Sequence, residues 1–333
     1  MLFRSDGDEF FTTTVATTEF LSRNGLCPEM MIVGILSTDR MHDLTPWHDA
    51  VVPKDSDLVR TSGGGEQFTS FITKELIPYI GSHYPAASYR MLAGHSLGGL
   101  LVLNTLVNHP EMFNSYLAMD PAIYWAGQRL LQDAAIKLKN RGMDNKRLYM
   151  GLSRSRRLYD SVQGDKTLAT IFERSVLLFD SMASESSDVQ HYRAKYYNDE
   201  THNTVVMPAM YDGLRFIFDF FQMPGLRRDS VTTDFYAGRY KMISKQMGYA
   251  VLPPEDLINN MGYYFLQQGK YDKARSFFQM NIDNYPKSFN VYDSMSDLYT
   301  AENDKPKAIE YLEKELKLED HPYIRKKLED LRK

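Results

Sequence analysis

The chain has 333 residues, 43% of them hydrophobic and 25% charged, with a formal net charge of −4. These values suit a globular chain of one large and one small domain; they lack the basic footprint of a nucleic-acid binder, and no apolar run is long enough to cross a bilayer. Cys27 is the only cysteine, which excludes an internal disulfide and a four-cysteine metal site, and it reads as a small buried apolar residue.

The opening "MLFRSDGDEFF" shows no basic region followed by an apolar one, so no signal peptide is read there, and it begins as if partway through a strand. Residues 30–36 ("MMIVGIL") predict a buried strand that ends in the polar loop "STDRMHDLTP". Residues 66–84 are amphipathic, with Phe68, Phe71, Ile72, Leu76, Tyr79 and Ile80 at helical spacing. Residues 89–93 predict a second strand, and 97–108 a helix apolar almost all round, as expected of one buried against a sheet. Residues 115–119, 147–152 and 191–197 predict three further strands, the first closed by Asp120-Pro121, and 208–221 a last helix. Strands alternating with helices indicate a mostly parallel sheet covered on both faces, an α/β fold.

After about residue 225 strand signals stop and helical periodicity takes over. Gly262 aligns with Ser296, Phe265 with Tyr299, Ala274 with Ala308 and Phe278 with Leu312, each 34 residues on. That is the period of a tetratricopeptide helical hairpin. The reading is therefore an α/β domain over 1–225 and a small all-α, tetratricopeptide-like domain over 226–333. Two repeats are too few to bury a core alone, so they are expected to dock on the first domain, on a second copy in a homodimer, or on a protein partner.

The stretch "YRMLAGHSLGGLLVLN" places Ser96 between Gly94 and Gly98. Gly-x-Ser-x-Gly alone is a weak signal. Following a predicted strand and opening a helix, it has the context of a nucleophile elbow, where the glycines avoid collisions at a strained turn. The bland reading is a glycine-rich strand-to-helix bend. A serine hydroxyl needs a base to take its proton. Chain order for this architecture is serine, acid, histidine. Of the later histidines, His109 reads as a helix C-cap, His191 starts a strand and His321 lies in the repeats. His202 sits in the loop "NDETHNTVVMP" after the last predicted strand, where a base can reach the carboxyl edge of the sheet.

The acid is less evident. After "RLYMGL" the chain reads "SRSRR", with no carboxylate until Asp160. Asp120, at the tip of the preceding strand, is the stronger candidate, and helix N-capping is its alternative role. Asp199 and Glu200 are weaker options, and a Ser–His dyad is a further alternative. For an oxyanion, one donor is expected to be the Leu97 amide and the other the amide of Gly7 or Asp8 in "SDGDEFF".

These residues resemble the esterase family of α/β-hydrolases that includes the enterochelin, salmochelin and ferri-bacillibactin esterases. The resemblance spans roughly residues 6 to 222 and rests on "DGDEFF", "VGILSTDRMHDLTP", "FITKELIPYI", "GHSLGG" and "HNTVVMPAMYDGLRFIF". It implies a serine hydrolase acting on small-molecule carboxylic esters without metal or organic cofactor, with Ser96 as nucleophile and His202 as base. It also implies about two strands ahead of "DGDEFF" that are not found in this sequence, the expectation for a truncated chain start. A cytoplasmic location is expected as the chain is written, and a periplasmic or secreted one if a leader precedes it. Arg40 is a candidate for an anionic group of the substrate, or for a loop-holding pair with Asp39 or Asp43. Trp47, Tyr124 and Trp125 are candidate pocket walls, or core. The competing functional reading is a weak or inactive hydrolase scaffold whose helical repeats bind a protein partner.

Overall fold

The computed structural model describes residues 1–5, 7–49, 60–140, 146–154, 166–186 and 191–333. Asp6 and Asp160 lie outside the described residues. Two compact units divide the chain, Met1–Met223 and Pro224–Lys333.

The first unit is built on a six-stranded sheet. In chain order the strands are β1 (Leu2–Arg4), β2 (Ile32–Gly34), β3 (Met91–His95), β4 (Ser115–Met119), β5 (Arg147–Ser153) and β6 (His191–Tyr197). Their spatial order is β2-β1-β3-β4-β5-β6, and every neighbouring pair is parallel. Parallel neighbours need crossovers, which helices supply. α1 (Gly7–Arg23) and the helix Val206–Ile217 pack together, the latter also on β4 and β5. The helices Leu97–Asn108, Trp125–Asn140 and Lys166–Glu185 pack in succession on one another, the first also on β3 and β4. The core follows from this layering: Met91, Leu92 and Ala93 of β3, Tyr116 to Met119 of β4, and Leu148 and Met150 of β5 are at most 1% exposed.

The predicted strands at 115–119 and 191–197 have those bounds. The apolar run 30–36 forms only three strand residues, because its neighbour β1 offers only three, paired Leu2 to Ile32, Phe3 to Val33 and Arg4 to Gly34. The helix expected over 66–84 runs from Gly65 to His83 and widens into a π-helical segment at Ile72–Leu76. The helix Trp125–Asn140 opens with three residues in left-handed geometry, Ala126, Gly127 and Gln128. Among the described residues no helix is long and apolar enough to cross a membrane. Cys27 is buried, which pushes its thiol up to about 12 and keeps it an unreactive apolar filler.

The second unit is helical: Thr233–Met247, Glu255–Leu266, Tyr271–Asn284, Asn290–Ala301, Lys305–Leu318 and Pro322–Arg332. Glu255–Leu266 packs on Tyr271–Asn284, and Asn290–Ala301 on Lys305–Leu318. Gly262 gives Phe278 room, since a Cβ there would lie 2.3 Å from its ring. Ala274 and Ala308 are fully buried, and Phe265 stacks on Phe277 with ring centroids 5.5 Å apart.

Glu315, in Lys305–Leu318, is 1% exposed, and its Oε2 has no hydrogen-bond partner among the described residues. Burial, with Asp293 and Asp297 nearby and Lys327 only partly offsetting them, pushes its carboxyl up from 4.5 to about 8. Between those values the unfolded chain ionises this group while the folded chain keeps the proton, so stability falls as pH rises through that window. Glu315→Gln is expected to stabilise this helix by about 2 kcal/mol at about pH 8 and by nothing at about pH 4. Amide hydrogen exchange across Lys305–Leu318 measures this, and an equal effect at both pH values would contradict it.

Candidate active site

The sheet order reverses direction next to β1: the chain leaves β1 for β2 on one side and returns to β3 on the other. In open α/β sheets the crevice at the carboxyl ends of the strands beside such a reversal is where ligands bind. Ser96 follows β3 at that edge, and Gly7 follows β1.

Ser96 has φ 58° and ψ −115°, strained geometry for a non-glycine residue at the start of a helix. Its neighbours make the turn possible. A Cβ at Gly94 would stand 2.2 Å from the Gly98 carbonyl oxygen, a backbone atom unable to yield cheaply. The turn is fixed from β4 as well: the Ser96 amide donates to the Met119 carbonyl at 3.0 Å, and the Ala122 amide donates to the Ser96 carbonyl at 3.0 Å.

Three side chains predicted from the sequence meet here. The Ser96 hydroxyl lies 3.0 Å from His202 Nε2. His202 Nδ1 lies 2.6 Å from Asp120 Oδ2. Asp120 is fully buried and, like Ser96, has a positive φ, 43°. A carboxylate facing Nδ1 sets the tautomer: Nδ1–H donates to Asp120, which leaves the Nε2 lone pair for the serine proton. The arrangement can therefore generate an alkoxide-like nucleophile and hold the resulting imidazolium against a buried carboxylate.

Ser153, at the end of β5, also holds the carboxylate. Its amide donates to Asp120 Oδ1 at 3.1 Å and its hydroxyl to Oδ2 at 2.9 Å. Sequence reasoning looks for an acid at this position and passes over the serine; the strand supplies instead the donors that hold the acid from the neighbouring strand. His95 is also missed by that reasoning, though it stands in the Gly-His-Ser run; it is 3% exposed and bonds to the His202 backbone. His109 is the helix C-cap that the sequence indicates, and its Nε2 lies 2.8 Å from Glu66 Oε2.

The remaining expectations divide. The Leu97 amide opens the helix Leu97–Asn108, where the first amides have no intrahelical acceptor. The Gly7 amide is engaged by the Ile35 carbonyl at 3.2 Å, which corrects its assignment as an oxyanion donor. Gly7 has a different steric reason to be glycine: a Cβ there would lie 2.7 Å from the Gly34 backbone. Of the two amides named in that stretch, Asp8 in the first turn of α1 remains. Arg40 begins the short helix Arg40–Leu44 and reaches the His95 carbonyl with Nη2 at 3.5 Å. The loop before it is held by its acids through backbone amides: Asp39 accepts from Met41 and His42, and Asp43 from Thr38. Trp125 is 6% exposed, and its indole N–H donates to the Trp47 carbonyl at 2.8 Å, so it packs in the core. Trp47 is half-buried with the Arg129 guanidinium 5.2 Å from its ring, and Tyr124 packs edge-on to Phe172. Among the described residues no cluster of His, Cys, Asp and Glu could hold a metal ion.

Comparison with known proteins gives the class. A siderophore enterobactin esterase of Emericella nidulans is 26% identical over 207 residues, 55% of this chain and 67% of that protein. The ferri-bacillibactin esterase BesA of Bacillus subtilis is 32% identical over 140 residues, 38% of this chain and 48% of that protein. The crystal structure of an IroE-like serine hydrolase from Shewanella oneidensis has the same fold, with a TM-score of 0.70 at 24% identity over 84% of this chain and 88% of that one. The parallel sheet and these relatives define an ester hydrolase of the α/β type. Residues 1–208 match the family model described as "Putative esterase", and the chain belongs to that family.

Proposed function

We propose that the chain is a serine esterase that cleaves small-molecule carboxylic esters through an acyl-enzyme on Ser96. The observation that carries this reading is the unbroken hydrogen-bonded series from Ser96 through His202 to Asp120, at 3.0 and 2.6 Å. In the first step His202 Nε2 takes the hydroxyl proton as Ser96 Oγ attacks the ester carbonyl carbon. Asp120 holds the imidazolium in place through Nδ1–H. The tetrahedral oxyanion is received by the Leu97 amide at the start of its helix and by the Asp8 amide at the start of α1. His202 then returns its proton to the departing alkoxide, so an alcohol leaves and the acyl group stays on Ser96. In the second half a water molecule takes the alcohol's place, with His202 again as base, and releases the acid.

The siderophore esters in the names of the relatives are the first natural-type substrates to compare with a simple p-nitrophenyl ester. Arg40 and the half-buried ring of Tyr124 are the side chains we assign to substrate contact. In the helical unit, Tyr271–Asn284 and Lys305–Leu318 begin and end 34 residues apart, which supports a tetratricopeptide-like pair.

The test is covalent. A fluorophosphonate probe is expected to label the folded protein, and mass spectrometry of the digest to place the adduct on Ser96. A folded sample that stays unlabelled, or that is labelled elsewhere, would overturn the reading.

A further inference from the structure

The proposed reaction uses His202, yet His202 belongs to neither a strand nor a helix. It stands between β6, which ends at Tyr197, and the helix that begins at Val206. Asn198, Asp199, Thr201, Asn203 and Thr204 around it are exposed. Within the loop, local bonds run from the Thr201 amide to Thr204 Oγ1 at 2.8 Å and from the Thr204 amide to Thr201 Oγ1 at 3.2 Å. A loop of that kind has low intrinsic stability, and a general base misplaced by about 1 Å can lose about two orders of magnitude in rate.

His95 bridges to this loop from the rigid side of the site. It is the last residue of β3, in register with Met119 of β4, and is 3% exposed. Its ring Nε2–H donates to the backbone carbonyl of His202 at 2.7 Å, a contact across 107 positions in sequence. Its ring also lies against the His202 ring, with centroids 4.4 Å apart and planes at 41°. The Phe10 ring meets it edge-on at 5.5 Å. One buried side chain thus contacts both the main chain and the imidazole of the base.

We propose that His95 is a positioning residue, which holds the backbone and ring of His202 together in the orientation that reaches Ser96 and Asp120. The inference rests on the serine esterase reading. The bond to a carbonyl requires a ring N–H, which the neutral imidazole supplies. Among the described residues, His202, Arg4 and Asp120 act on the His95 ring, and the Arg40 guanidinium reaches the His95 carbonyl. Burial, then His202 beside it, hold its imidazole down to about 3. It therefore stays neutral while His202 carries the positive charge of the transition state, and adds no cation of its own beside that charge.

Two variants separate the contacts. His95→Phe keeps a ring and loses the donor; His95→Gln keeps a donor of similar reach. With p-nitrophenyl acetate, His95→Phe is expected to lower kcat about 10- to 100-fold with KM within about twofold of wild type. His95→Gln is expected to recover most of that loss, and both are expected to melt as folded proteins. A folded His95→Phe with wild-type kcat overturns the proposal. So does a parallel fall of both variants in proportion to lost folded protein, which is what a purely structural residue gives. Should His95→Phe not fold, nitrogen-15 histidine spectra of the wild type decide. The proposal requires a neutral Nε2–H tautomer for His95 that does not titrate between about pH 5 and 8, and titration in that range overturns it. An inactive wild type that also resists the fluorophosphonate removes the esterase reading together with this one. An active wild type with an indifferent His95→Phe removes this one alone.

Discussion

Ser96→Ala is expected to lower kcat for ester hydrolysis about 10⁶-fold, with the protein folded and KM little changed. The size of the effect follows from the site's construction. The substitution leaves His202 with no hydroxyl to deprotonate, and water would have to attack from a position the turn was not shaped to hold. The Leu97 and Asp8 amides, the proposed oxyanion donors, are untouched by the substitution, so the residual rate is expected to exceed that in water by about 10³-fold. Steady-state kinetics on a p-nitrophenyl ester, with fluorophosphonate labelling on the same samples, checks this. A variant retaining more than a few per cent of wild-type kcat would assign the nucleophile to another residue.

Asp120→Asn is expected to lower kcat about 10⁴-fold. Among the hydrogen bonds the carboxylate accepts are one from His202 and two from Ser153. An asparagine cannot satisfy all three. With its carbonyl oxygen toward His202, its NH2 group faces the Ser153 amide, donor against donor. With the oxygen toward that amide, the NH2 faces His202 Nδ1, which must become an acceptor. The histidine proton then moves to Nε2 and blocks the very atom that takes the serine proton. Either arrangement is costly in a fully buried position. Glu200→Gln, in the His202 loop, is expected to leave kcat within about twofold. A large fall for Glu200→Gln, with Asp120→Asn near wild type, would move the acid to that loop.

Much of this site is legible without coordinates. The glycine spacing around Ser96 is readable because a strand-to-helix turn this tight leaves backbone, not a flexible side chain, against Gly94. His202 is readable from chain order, and Asp120 from an Asp-Pro pair at the end of an apolar run. What is not legible depends on pairings between distant segments. The state of the Gly7 amide depends on the Ile35 carbonyl lying opposite it. The three-residue length of β2 comes from its partner and not from its own seven apolar residues. Trp125 reads as available for a ligand because nothing local shows that its indole is tied to Trp47. Ser153 is easily overlooked because a serine after a strand has no chemical signature until the neighbouring carboxylate is known.

The bonds that tie the Ser96 turn to Met119 and Ala122 join the proposed nucleophile and acid into a single block, cast from two adjacent strands. The base is delivered separately, on a short bridge of exposed polar residues. Warming should therefore silence this protein in two stages. The bridge withdraws first, activity disappears and returns on cooling, and the sheet melts only later. The temperature at which turnover ceases is then a thermometer for the loop 198–205, not for the whole fold.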